Sequence, residues 1–163
     1  MIRAALLIWL TISLAACASP HVFPKSLEAE MEENKDLVPV GGRIVRTGTQ
    51  QQDGVLVVVE RLPLLHDDPT QGPDEKALAN EWFMFFLKGD IEELGRMTGN
   101  KLVVVGKWEG TQVAEVGTLK KEVPYLVARC VHVWKTGRQK ISEFPHLSDG
   151  YYPLPRQTYC VRK

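Results

Sequence analysis

From Ala4 to Ala16 the chain is almost wholly apolar, broken only by Thr11 and Ser13, with Arg3 just ahead of the run and Cys17 just behind it. A helix crossing a bilayer needs about 20 such residues, so the run is too short to span. It fits a secretory h-region, which is roughly 7–15 residues long and follows a positive n-region. Any globular fold must therefore start after this segment. The run closes on Leu14-Ala15-Ala16-Cys17. Small residues before the cleavage point suit a signal-peptidase pocket, and a thiol at that point can take a diacylglyceryl group.

That ending resembles the lipobox of bacterial lipoproteins. An ordinary secretory signal cut after Ala16, with Cys17 incidental, is the alternative reading. The lipobox implies a covalent diacylglyceryl and N-acyl lipid on Cys17, and no other cofactor is expected. One acyl chain holds a protein only marginally, whereas more than one makes attachment lasting. Asp directly after the cysteine often marks inner-membrane retention, but here Ala18 and Ser19 follow. The expected location is the outer membrane, facing the periplasm. The expected partners are the membrane itself, through the anchor, and the lipoprotein-processing and sorting machinery.

The 163 residues allow one domain plus appendages, and 44% hydrophobic with 25% charged residues is an ordinary globular balance. Lys+Arg and Asp+Glu stand at 20 each, so non-specific nucleic-acid binding lacks its main driving force. The sequence divides into a signal peptide at 1–16, a lipidated N-terminus and tether at 17–38, a β-domain at 39–136 and a Pro-rich tail at 137–163. In the tether, Ser26 is placed to cap one or two helical turns, with Glu28 and Glu30 near their positive end. A flexible spacer is the alternative.

From Val40 the pattern is β. Arg43 to Thr47 alternates after Gly41-Gly42, and Gln50 to Gly54 reads as a hairpin turn. Val55 to Arg61 is nearly continuously apolar, which predicts a strand buried on both faces or within a barrel. A long surface loop is expected from 64 to 79, and a third strand from Glu81 to Lys88. A short helix is expected from Asp90 to Met97. A fourth strand follows from Lys101 to Trp108, then a turn at Gly110, a short arm from Gln112 to Val116 and a turn at Gly117. The fifth strand runs from Val123 to Trp134. The tail from Lys135, with Pro145, Pro153 and Pro155, is expected to lack regular structure. The fold expected is mainly β: a small OB-like five-stranded barrel with one short helix. A small open sandwich is the alternative.

Several segments, in order, resemble the Slp (starvation-inducible) outer-membrane lipoproteins of Gram-negative bacteria. They are Gly41-Gly42-Arg43-Ile44, Val55 through Leu64, Gly99 through Gly106, Glu115-Val116-Gly117, and Pro124 through Val127 on to Val133-Trp134. The resemblance runs from the lipobox to about Trp134. Val40 stands where the family usually has Trp, and neither the tail nor the two late cysteines, Cys130 and Cys160, are expected of the family. The resemblance implies an anchored, non-enzymatic envelope protein associated with starvation. It brings no catalytic residues.

Lipidation of Cys17 leaves Cys130 and Cys160, an even pair in an oxidising compartment. A Cys130–Cys160 disulfide would pin the tail to the last strand; a buried thiol at Cys130 and a free one at Cys160 is the alternative. His66-Asp67-Asp68 with Asp74 and Glu75 offers oxygen ligands but lacks a calcium-loop pattern or zinc spacing, so a solvated loop is expected and no metal. His132 shares a strand face with Cys130 and Trp134 and reads as a packed strand histidine. Ser142, His146 and Asp149 have the residue types of a triad but no nucleophile elbow, so no catalytic residue is assigned. Trp82 to Leu87 reads as core. A binding module that presents an OB-like face to a cell-wall glycan or an envelope protein is the second functional reading, by fold analogy.

Overall fold

The computed structural model describes residues 25–47, 53–79, 81–89, 98–141 and 155–161. These form one helix, α1 (Lys25–Glu33), and six strands: β1 (Val38–Thr47), β2 (Gly54–Leu62), β3 (Trp82–Lys88), β4 (Lys101–Val116), β5 (Leu119–Trp134) and β6 (Arg156–Cys160). The lipobox, the expected helix at 90–97 and the Ser142, His146 and Asp149 group lie outside the described residues.

β1, β2 and β3 form an antiparallel meander, and β1 also pairs with β4. β4 and β5 form a long antiparallel hairpin, and β5 returns to β3 in parallel over Tyr125–Ala128. The pairings thus close a ring in the order β1-β2-β3-β5-β4, the OB-like connectivity expected. Closure leaves no long open edge on the meander. Side chains at alternate positions fill the ring: Val55, Val57 and Val59 of β2, Phe83, Phe85 and Leu87 of β3, and Val131 and Val133 of β5. Burying each such side chain is worth about 1.5–3 kcal/mol.

Close packing explains two glycines inside strands. A Cβ on Gly42 would stand 2.3 Å from Val59 Cγ1, and one on Gly106 would stand 2.3 Å from Leu126 Cδ2 and 2.4 Å from the Val127 carbonyl oxygen. Gly41 and Gly42 are accordingly within β1, paired to Leu62 and Arg61, rather than ahead of it.

Other expectations are corrected. Gly110 is not a turn: β4 runs through it to Val116, and the register shifts between Trp108 and Thr111. Glu109 and Gly110 there oppose a single residue, Tyr125, which is a β-bulge, and Gly110 supplies its φ of 92°. The hairpin's true tip is Gly117-Thr118, with Gly117 at φ 60°. The tail is not without regular structure. Arg156–Cys160 forms β6, paired with Trp134–Cys130 of β5 just beyond the stretch that β3 occupies. Ahead of β1 lies helix α1, Lys25–Glu33. The one or two helical turns expected there are helix α1. Met31 packs on Val103, Val105, Cys130 and Trp134, and Glu30 pairs with Arg129 at 3.4 Å. Through Glu30 and Met31, α1 is therefore docked on the ring.

Candidate functional site

Three places bear chemistry or a distinctive surface. Cys17, with Leu14, Ala15 and Ala16, lies outside the described residues. The other two are a polar latch on the tail and an apolar face under the β4–β5 arm.

The latch gathers side chains far apart in sequence. Lys101 opens β4 and is 4% exposed at its side chain; Glu75, from the 64–79 loop, is 11% exposed, and its Oε1 lies 3.6 Å from Lys101 Nζ. Glu75 Oε2 accepts a hydrogen bond from the Ile141 backbone N–H at 2.7 Å, and Lys101 Nζ donates to the Gln139 carbonyl at 3.4 Å. Asn100 Oδ1 accepts from the Gly137 N–H at 2.5 Å. The 137–141 segment is thus held by its backbone. Buried charges need a partner and hydrogen bonds to offset desolvation, and here the two ions partner each other while main-chain groups of the tail supply hydrogen bonds.

Cys130 and Cys160 face one another across the β5–β6 ladder and are joined by a disulfide with S–S 2.04 Å. Cys130 is buried and Cys160 exposed. Two residues on, His132 is 2% exposed, its Nδ1 is 2.7 Å from Thr158 Oγ1, and its ring meets Trp134 edge-on at 4.6 Å. These contacts join the tail to the ring.

The acidic loop is more ordered than a solvated stretch. Leu64 bridges to Pro73, and short 3-10 turns form at Leu65–Asp67 and Pro69–Gln71. Asp68 Oδ1 accepts from the Thr70 N–H at 2.8 Å and Oδ2 from Gln71 Nε2 at 3.1 Å. Those bonds, Thr70's first, hold the Asp68 carboxyl below its ordinary pKa. Asp74 Oδ1 accepts from the Lys76 N–H at 2.9 Å. The acids therefore shape turns, and among the described residues no group of three His, Cys, Asp or Glu is placed to hold a metal. Two shallow hollows, of about 340 Å³ beside Arg61, Pro63, Leu78 and Glu81 and about 450 Å³ between α1 and the Asp68–Thr70 turn, are lined by no histidine or cysteine.

The third place is the outer face of β2 and β3, the face that OB folds use for ligands together with the β4–β5 loop. Register sets Arg46, Val58, Met84 and Tyr125 side by side across β1, β2, β3 and β5. The arm beyond Gly110 folds over this row. Ala114 and Val123, at 0% and 1% exposure, pack with Val58 and Met84, and Leu56, Trp82, Val116 and Tyr125 border the cluster. Arg46 Nη1 donates to the Glu115 carbonyl at 2.6 Å, fixing the far end of the arm. The arm's outward side is polar, with a Thr111–Glu122 hydrogen bond and a Glu115–Lys120 ion pair at 2.6 Å. This cover explains why Val55 to Arg61 reads as apolar on both faces. It also means that the OB-like face is no open groove.

The chain matches the family model of the outer membrane lipoprotein Slp family over residues 14–160. It belongs to that family. The match starts at Leu14, so it takes in the whole Leu14-Ala15-Ala16-Cys17 motif, and it continues past Trp134 to Cys160. The tail strand β6 and both late cysteines are thereby within the Slp match, where the sequence reading ended the resemblance near Trp134. No curated protein and no solved structure matches the chain significantly.

The sequence reading assigned no role to Lys101 and Asn100, and placed Glu75 only among the acids of a solvated loop. Their only sequence signal is that Lys101 directly precedes the wholly apolar Leu102-Val103-Val104-Val105, where a strand is about to be buried.

Proposed function

We propose that this Slp-family chain is a non-enzymatic, lipid-anchored protein of the outer membrane that faces the periplasm and serves the envelope under starvation or related stress. The observation that carries the reading is the family match opening on Leu14, three residues ahead of the thiol of a lipobox. Cys17 would carry diacylglyceryl and N-acyl groups, which bury enough CH₂ to keep the domain at the membrane. The non-enzymatic part is supported by the structural contacts that several interior polar groups make. Lys101, Glu75 and Asn100 hold the tail's backbone, and His132 sits between Thr158 and Trp134.

The test is the intact mass of protein extracted from membranes, together with membrane fractionation of wild type and Cys17→Ala. The mass expected is that of the chain from Cys17 plus its lipid groups, with wild type in the outer-membrane fraction. Cys17→Ala should lose the lipid mass and that position. An unlipidated, soluble wild-type chain would overturn the reading. The stress role is tested separately, by survival of a deletion strain in prolonged stationary phase.

A further inference from the structure

We propose that the β4–β5 arm is a hinged flap that closes over the apolar outer face of β2 and β3, bending where β4 and β5 leave the ring. Three observations place the hinge. Glu109 and Gly110 bulge opposite Tyr125, so the ladder is interrupted on β4. The next β5 residue toward the tip, Pro124, has no N–H to contribute and pairs with Thr111 on the other side of that bulge. Gly110 has φ 92°, and nothing lies within 4 Å of where its Cβ would stand, so its conformation is needed for the bend and not for packing. Both strands of the ribbon are thus weakened at one level. This is also the level at which β5 takes up β3 as a neighbour, with Tyr125 opposite Met84.

Beyond the hinge the arm has strand partners only within itself among the described residues, since β1 leaves β4 at Gly106 and β3 reaches β5 only at Tyr125. What holds it down is modest: the apolar side chains of Ala114 and Val123, with partly buried Val116 at the cluster's edge, against Val58 and Met84, and the bond from exposed Arg46 to the Glu115 carbonyl. Segments secured by few apolar contacts open at lower free energy than the core they lie on. The arm's own cross-strand pairs, Thr111–Glu122 and Glu115–Lys120, move with it and need not break. The occupant of the β2–β3 face is therefore the chain's own hairpin, and lifting it uncovers Leu56, Val58, Trp82 and Met84 together.

Substituted-cysteine labelling of the full folded domain tests the flap. Ala114→Cys lies on the arm's underside, Val58→Cys lies on the face beneath it, and Val104→Cys, inside the ring, is the reference for global opening. A maleimide should label Ala114→Cys and Val58→Cys at one shared rate, at least about tenfold faster than Val104→Cys. Adding Arg46→Ala should raise both of the faster rates together, by about threefold to thirtyfold, and leave Val104→Cys unchanged. If Val104→Cys does not fold, the wild-type unfolding rate from circular dichroism serves as the reference. Labelling no faster than global unfolding would overturn the proposal. So would unequal rates at the two sites, or rates that ignore Arg46→Ala, since these mean a fixed arm or simple fraying.

Discussion

Removing the Lys101 ammonium should be far more damaging than removing the whole Lys101–Glu75 charge pair. At 3.6 Å the attraction between the two groups is about 4–5 kcal/mol at an effective dielectric of 20. Withdrawing each ion from water costs several kcal/mol, so the intact pair is close to neutral against an uncharged pair of similar shape. Lys101→Met leaves the Glu75 carboxylate with one charge, one hydrogen bond from the Ile141 N–H and no cation. The expected loss is about 3–5 kcal/mol, the range for breaking a buried pair from one side. Lys101→Met with Glu75→Gln removes both charges and keeps an oxygen for Ile141, so stability should return to within about 1 kcal/mol of wild type. Glu75→Gln alone should cost nearly as much as Lys101→Met. Urea unfolding of the four proteins, fitted with a common slope, reads these differences. If Lys101→Met cost under about 1 kcal/mol, or if the double variant were the sum of the singles, the pair would be a solvated contact and not a buried latch.

Gly106→Ala should destabilise by about 1–3 kcal/mol, because its Cβ meets the Val127 carbonyl at 2.4 Å and backbone cannot step aside without breaking the ladder; Gly117→Ala, with nothing within 4 Å, should cost only its strain at φ 60°, and thermal melts compare the two. Cys160→Ser should cost roughly 3–4 kcal/mol in the chain-entropy model for a bond across 30 residues, read by urea unfolding; wild type without reductant should weigh two hydrogens less than after reduction. Burial first, and the Glu109 carboxylate second, raise the Tyr125 hydroxyl above its ordinary 10.0. The unfolded chain then loses that proton first, so this contribution is intact below about pH 10 and fades as pH rises through the higher folded value. Urea midpoints from pH 9 to 11 should fall less steeply in Tyr125→Phe than in wild type.

The ring was legible because its strands carry their own signal. Val55 to Arg61 and Trp82 to Leu87 are runs that only burial explains, and Gly117 marks a turn that the hairpin uses. Gly110 misled because a glycine at positive φ serves a bulge as well as a turn, and only the register opposite Tyr125 tells them apart. β6 was hidden because Arg-Gln-Thr-Tyr-Cys is short, polar and preceded by Pro155; its strand state comes from the open length of β5 beside it. The latch was invisible for a related reason. Glu75 sits among acids that look solvated, and its cation lies at Lys101 in another element, a pairing that no local pattern encodes. The family itself was legible, since the segments from Gly41 to Trp134 that resemble it all lie within the matched residues 14–160.

The way the ring closes bears on how such a chain reaches its final state. β1, β2 and β3 are neighbours in sequence, but the seams that shut the ring join 38–43 to 101–106 and 84–87 to 125–128. A polypeptide synthesised N-terminus first presents the meander well before β4 and β5 emerge. During that interval the apolar strands Val55–Leu62 and Trp82–Lys88 lack the partners that cover them in the finished ring, the condition that favours aggregation. Non-local seams also close slowly. The outer face of this meander would stay bare until the arm arrives, and β6, last to emerge, can only be laid against a β5 already in place.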